Sequence, residues 1–525
     1  MAALKLYSAI NFRLKFQFQK LKLQLKPKRM KYIAGIDIGT GSTKAVALNM
    51  LYQPIASAQL FYPTETPKAG YNEQNPELIW QAFINCINEL QTKLGSAPVT
   101  IGLSSAMHSL ILVDEDCTPL APMITWADNR SADIARKLSA TKTGLAIYQA
   151  TGTPIHAMSP LCKIIWLAEH EPGLFAKTHK FISIKEYIWF KLFGEFKVDF
   201  SIASATGLFN IHTLNWDEQA LQQTGLNAER LSTPVQTDFK NSNLQSTAKL
   251  IFPNLNTTFV IGASDGCLAN LGSEAIENGV AAITIGTSGA LRLASSKPIF
   301  NRVAMPFSYI LDTNTFICGG PINNGGIAIQ WLLKNVFGKK TLSDEDYEVL
   351  FDSIEGIAAG SNGLIFLPYL TGERAPIWNS EACGTFFGLT LQHEQSHMAK
   401  AIVEGICYAL NDVMKTVEDA ANPIKQINVS GGFVHSKTWM QILADVTGKK
   451  LVLISEEDAS AVGAAYLAAK ATGLTESYPT NGSENQQIIS PDYSNHLKYQ
   501  RNFLIFKELY ANLHLTMHHL HHLNK

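Results

Sequence analysis

The chain has no cysteine pair in C-x-x-C spacing, although it holds seven cysteines, at 86, 117, 162, 267, 318, 383 and 407. Scattered and odd in number, they argue against a disulfide framework and for a reducing compartment, the cytoplasm. No apolar run approaches the ~18 residues that cross a bilayer, so no membrane partner is expected. Two nucleotide fingerprints are missing as well. Lys44 follows glycines, but the spacing G-x-x-x-x-G-K-[ST] is not met and Lys44 leads into a strand, which excludes a P-loop. The lack of G-x-G-x-x-G argues against a Rossmann dehydrogenase. Acids are absent from residues 1–30, which carry eight of the 43 Lys and Arg. The remainder therefore holds 35 basic against 44 acidic side chains, a net −9 that offers nothing to nucleic acid.

What is present is enough for two to four domains with large cores: 525 residues, 46% of them hydrophobic. The organising stretch is residues 32–50, YIAGIDIGTGSTKAVALNM. Ile33, Ile36, Ile38, Val46 and Leu48 are strand formers on either side of Gly39-Thr40-Gly41-Ser42-Thr43, a run of small residues able to turn tightly and leave backbone N–H groups exposed to an oxyanion. Alone it is equally an ordinary glycine hairpin. Residues 282–293, AITIGTSGALRL, repeat the pattern, with Gly286-Thr287 corresponding to Gly39-Thr40. Two such hairpins point to two related domains facing one nucleotide.

Between the hairpins, apolar residues spaced by three and four from Ile79 to Leu90 predict a helix opened by Asn75-Pro76-Glu77. A buried strand over 99–103 then delivers Met107 and His108. His108 read alone is a satisfied structural histidine. Residues 124–131, ITWADNRS, put an aromatic, an acid, an amide and an arginine together, a combination suited to a polyol, or else an N-cap at Asp128 with solvated charges. Residues 158–170 read as a structural helix with Ile164, Ile165 and Trp166 buried, and Lys185-Glu186 stand out inside an aromatic run. A strand over 259–262 delivers Asp265 to the start of a helix, where a carboxylate stays ionised and can accept a proton, or simply caps the helix.

Further on, Gly319 to Gly326 precede a helix holding Gln330. Gly431-Gly432 link a strand to a helix capped by Ser436 and stopped at Gly448, an arrangement that can receive an adenosine. Polar residues 476–495 form a linker, and an amphipathic helix from Tyr499 to Leu513 closes the chain. The histidines at 514, 518, 519, 521 and 522 are a tract able to take metal only adventitiously. Residues 1–30 are read as a dispensable extension or an upstream start, ahead of a targeting arm or functional tail.

The motifs GIDIGTGSTK, GASDG, TIGTSG and NVSGGFVHS, together with residues 158–170 and 384–405, resemble those of the FGGY carbohydrate kinases of the actin, Hsp70 and hexokinase superfamily. The resemblance covers about 32–515. It implies an α/β fold of two ribonuclease-H-like domains around a nucleotide cleft: a basic extension over 1–30, an N-terminal domain over 31–277 with the sugar site, a C-terminal domain over 278–515 with the adenosine site, and a His-rich tail over 516–525. It implies ATP and Mg2+, with Asp265 as the base and Asp37 at the metal. Thr40, Gly41, Ser42, Lys44, Gly286 and Thr287 would meet phosphates, and Gly326, Gln330, Gly431, Gly432 and Ser436 the nucleoside. Met107, His108, Trp126, Asp128, Arg130 and Lys185 would hold the sugar. SSAMHSLILVD and TWADNRS are most similar to the gluconokinase branch, whose acid substrate needs a cation; Arg130 and Lys185 are the candidates, with Arg374 behind them. Xylulose or another sugar or polyol is the alternative acceptor, and a nucleotide-switched binding protein of the actin or Hsp70 kind the remote one. Both glycine turns and both aspartates are intact, which disfavours a pseudo-kinase. A homodimer is left open.

Overall fold

The structure, a computed structural model, describes residues 30–418, 423–454, 458–479 and 487–523. The reading of residues 1–29 as an extension lies outside the described residues.

The first sheet has six strands in the order Lys240–Asn241, Thr258–Ser264, Thr100–Ser105, Ile33–Ile38, Ser42–Leu48 and Pro54–Phe61. The last three form an antiparallel meander, while Ile33–Ile38, Thr100–Ser105 and Thr258–Ser264 run parallel. The second sheet repeats this plan. Val280–Ile285, Gly289–Ser295 and Thr315–Ile322 form its meander, and Gln426–Ser430 and Lys450–Leu453 extend it in parallel. Thus the likeness of the two glycine hairpins reflects two lobes of one topology, each with its hairpin turn at the same end of the sheet. The helix expected after residue 75 spans Pro76–Leu94, with Asn75 capping Glu77 N–H and Gly95 closing it at φ +68°. It covers the first sheet with Ile79, Phe83, Ile87 and Leu90.

Chain order and spatial order diverge at helix Ala459–Ala471. By sequence it belongs to the domain read as 278–515, yet Ala461, Ala464, Ala465 and Ala468 pack on Ile33, Val46, Leu48 and Val260 of the first lobe. Its small residues permit this. A Cβ at Gly35 would overlap the Ala461 carbonyl, and one at Gly102 the Ala464 carbonyl. The same helix crosses Asp265–Gly272 so closely that a Cβ at Gly272 would meet the Ala459 carbonyl and one at Gly463 the Leu268 carbonyl. This helix thus packs across the two lobes, and one apolar cluster, including Phe307 and Tyr309 of the second sheet, bridges both.

The helical structure continues past residue 515. Helix Tyr493–Leu523 runs unbroken into the His-rich segment, because Met517 is buried in the second core and His518 and His522 each lie 3.9 Å from Glu381 Oε2. The shorter helix expected over 499–513 lacked only its flanking turns.

Because backbone faces backbone at the helix crossing, Gly463→Ala is expected to lower stability by about 2 kcal/mol or more. Gly173→Ala, whose Cβ would meet nothing within 4 Å, serves as its control. Urea-denaturation midpoints check this; equal midpoints for the two variants would contradict the close crossing.

Candidate active site

Both glycine turns and the strand-end acid open on one cavity of about 380 Å3 between the lobes. Thr40 comes from the first turn and Gly286, Thr287 and Ser288 from the second, with Asp265, Met107, His108 and Trp126 on the walls. The cavity thus joins residues more than 240 positions apart in sequence, as 40 and 286 are.

Asp265 is not the helix cap. Ser264 Oγ takes that role, accepting from Cys267 N–H, which leaves the Asp265 carboxylate at the first helical position with Gly266 N–H donating to its Oδ1 at 2.7 Å. Burial raises its pKa, opposed by the Arg292 guanidinium and that N–H. Asp37, at the end of Ile33–Ile38, accepts from Ser104 Oγ at 2.6 Å. Burial and the nearby Asp265 charge push it up to about 7. Two acids held this close and this deep favour a proton or a cation between them.

The sugar-side walls are tied together by Lys163, which is fully buried. Its ammonium donates to the carbonyls of His108 at 2.7 Å, Thr125 at 2.7 Å and Met158 at 2.8 Å, so one charge fixes three loops. Burial brings its pKa down to about 7. His108 has a left-handed backbone, φ +64°. Its Nδ1 lies 2.7 Å from the Ala205 carbonyl, which can only accept, so Nδ1 carries the proton and Nε2 is left as an acceptor 3.5 Å from Tyr309 OH. Burial and the Lys163 charge lower its pKa to about 3, which keeps the ring neutral. Trp126 donates through Nε1 to Thr40 Oγ1 at 2.9 Å, joining the sugar side to the first turn.

Three residues assigned to the sugar do not reach the cavity. Asp128 is fully buried and Arg130 is spent on it, with Nε and Nη2 each 2.8 Å from its carboxylate; Arg130 also pairs with Glu73 at 2.5 Å. The guanidinium is stacked on Tyr71 at 3.9 Å and lies 5.5 Å from the half-buried Trp166, which was expected to be core. Lys185 is buried against Asp199 at 2.8 Å and donates to the Ala263 carbonyl at 2.7 Å, so it braces the strand that carries Asp265. The cations that do line the cavity are Arg374 and Arg292. Arg292 was missed, as were Tyr309 and Met158; its signal was a charged residue inside the apolar strand that leaves the second turn.

On the nucleotide side, Gly326 N–H donates to the Gly286 carbonyl at 2.7 Å, which seats helix Gly326–Trp331 and its Gln330 on the second turn. Gly431, at φ +102°, lies against the Ile285 carbonyl, so Gly431-Gly432 abut the same turn. Ser436 caps helix Lys437–Thr447 through Trp439 N–H. At the first turn Gly41 is open, whereas Ser42 Oγ accepts from Gln59 and Lys44 pairs with Asp458, so neither side chain faces the cavity.

Paired ribonuclease-H-like lobes with a hairpin turn from each and a carboxylate at a strand end define a phosphotransferase of the actin and hexokinase type. Profiles of the FGGY family of carbohydrate kinases match residues 32–272 with the N-terminal domain and 281–472 with the C-terminal domain, and the chain belongs to that family, whose kinase chemistry uses ATP. It is 42% identical over 457 residues to a gluconokinase of Bacillus licheniformis, covering 85% of this chain and 89% of that one. A xylulose kinase of Bacillus subtilis is 29% identical over 92% of this chain and 97% of its own. Among solved structures, a gluconate kinase from Lactobacillus acidophilus has a TM-score of 0.87 at 33% identity, covering 92% of this chain and 98% of that one. A ligand-bound xylulose kinase from the same organism has a TM-score of 0.88, also at 33% identity, over 94% and 100%.

A carboxyl raised to about 7 binds its proton in the folded state between pH 4 and 7, where the unfolded chain has lost it, so its contribution to stability falls as pH rises through that window. Asp37→Asn removes the dependence. The stability of the variant relative to wild type is expected to rise from pH 5 to pH 8 in urea denaturation; a difference that stays flat contradicts the assigned environment of Asp37.

Proposed function

We propose that the protein transfers the γ-phosphoryl group of ATP to the terminal hydroxyl of D-gluconate, giving 6-phospho-D-gluconate. The observation that carries this is the single cavity in which Asp265 faces both glycine turns together with two guanidinium groups. The choice of a sugar acid draws on the 42% identity to a gluconokinase. A neutral ketose is the second reading, favoured by an equal structural likeness to a xylulose kinase.

Asp265 takes the proton of the acceptor hydroxyl as its oxygen attacks the γ-phosphorus, and the bond to the bridging oxygen of ADP breaks. Its raised pKa suits it to hold that proton. Backbone N–H groups of the turns at 39–42 and 286–288 neutralise phosphate charge, and Gly326, Gln330, Gly431, Gly432 and Ser436 flank the nucleoside. Met107, His108 and Trp126 line the acceptor: His108 Nε2 accepts from a hydroxyl while the indole covers the C–H face. The oxygen donors of Asp37 and Asp265 fit Mg2+, which takes few carboxylates and completes its shell with phosphates and water. Asp37 would hold it, and when bound it withdraws charge from the transferring phosphoryl group. Lobe closure over the cavity excludes water and limits wasteful hydrolysis. With no described helix long and apolar enough to span a membrane and seven free cysteines, cytoplasmic work on small molecules fits the chain.

Asp265→Asn is expected to lower kcat for gluconate by roughly 10^2- to 10^4-fold while ATP-analogue binding is retained. A coupled ADP-release assay with product identification checks this. Parental turnover in a folded, nucleotide-binding variant would remove Asp265 as the base.

A further inference from the structure

Arg292 lies on Gly289–Ser295, the strand that leaves the second phosphate turn. Ala290 and Arg292 share a strand face and both line the cavity. Arg292 stands four residues beyond Ser288 on that strand and its side chain reaches the start of the helix that carries Asp265, so the turn, the acid and the guanidinium share one cavity.

The guanidinium is held in place without being satisfied. Its Nη1 is buried and has no hydrogen-bond partner within the protein, so it is a donor that a water or a ligand in the cavity can take up. Gly266 makes room for it: a Cβ there would stand 3.2 Å from Arg292 Nε, so the side chain lies across the start of the helix that carries Asp265. Arg374 is placed differently. Its Nε donates to Asn323 Oδ1 at 2.7 Å, its Nη2 to the Ile322 carbonyl at 3.0 Å, and it lies 5.3 Å from the Trp126 ring, so its donors are largely spent on the wall. It adds positive charge, whereas Arg292 offers a free donor. Asp265 faces the Arg292 charge and Glu373 that of Arg374, and the two guanidinium groups together keep the cavity wall attractive to a further anion.

We propose that Arg292 binds the substrate carboxylate through its unpartnered Nη1, with Arg374 as supporting charge, and so selects sugar acids over neutral sugars. This rests on the aldonate reading of the acceptor. Arg292 thereby holds the carboxylate in the same cavity in which the terminal hydroxyl meets Asp265, a division of labour that a neutral ketose would leave unfulfilled, with Nη1 still unpaired.

The test is steady-state kinetics of wild type, Arg292→Gln and Arg292→Lys with gluconate and with a neutral ketose, reading KM for the acceptor, KM for ATP and kcat separately. Wild type is expected to prefer gluconate. Arg292→Gln should raise its KM for gluconate roughly 10- to 100-fold with KM for ATP unchanged, and added guanidinium ion should restore part of the loss. Arg292→Lys, which keeps the charge, should fall between the two and decides the matter if the Gln variant does not fold. An unchanged gluconate KM in either folded variant overturns the role. So does a parallel rise in KM for ATP, which would put the guanidinium on the phosphates. Failure of the aldonate reading itself would appear in wild type alone, as turnover of the ketose and none of gluconate.

Discussion

The site depends on the crossing of helices Asp265–Gly272 and Ala459–Ala471. Glycines at 272 and 463 bring the two backbones into contact, and glycines at 35 and 102 let the second helix lie on the first sheet. At such distances there is no side chain to rearrange, so the relative placement of the lobes is set by main-chain shape. That placement brings turns from two separate hairpins onto one cavity, and it starts Asp265 at its rim. Each lobe has a core of its own, and a helix contributed by late sequence to the early lobe adds a third apolar cluster that both lobes share.

Electrostatics then shape what the cavity can do. Lys163 spends its whole charge on three carbonyls, which makes the loops around His108, Trp126 and Met158 a single rigid wall. Lys185 does the same for the strand under Asp265. These buried lysines act on position rather than on substrate. Asp37, Asp265 and Arg292, by contrast, keep polar atoms with no protein partner, and the proposed chemistry draws on them.

Much of this arrangement was legible from local pattern. The glycine hairpins, their repetition, the strand that ends at Asp265 and the Gly431-Gly432 turn each lie in short contiguous stretches, where spacing and residue type carry the information. What local pattern misjudged were the cations. Asp128 and Arg130 are two residues apart and satisfy each other, so a run that resembles a polyol site is a structural ion pair stacked on Tyr71. Arg292 sits in an apolar strand, and its importance comes from Gly266 on the other lobe, a contact with no trace in neighbouring residues. Helix Ala459–Ala471 was assigned by its place in the chain, while its alanine and glycine pattern reports close packing without naming the partner.

The most direct test is a crystal structure with a non-hydrolysable ATP analogue and gluconate bound. The expected complex has the phosphates between the turns at 39–42 and 286–288, the acceptor's terminal hydroxyl within hydrogen-bond reach of Asp265, and its carboxylate on Arg292. A nucleotide bound away from these turns, or an acceptor whose hydroxyl lies beyond the reach of Asp265, would contradict it.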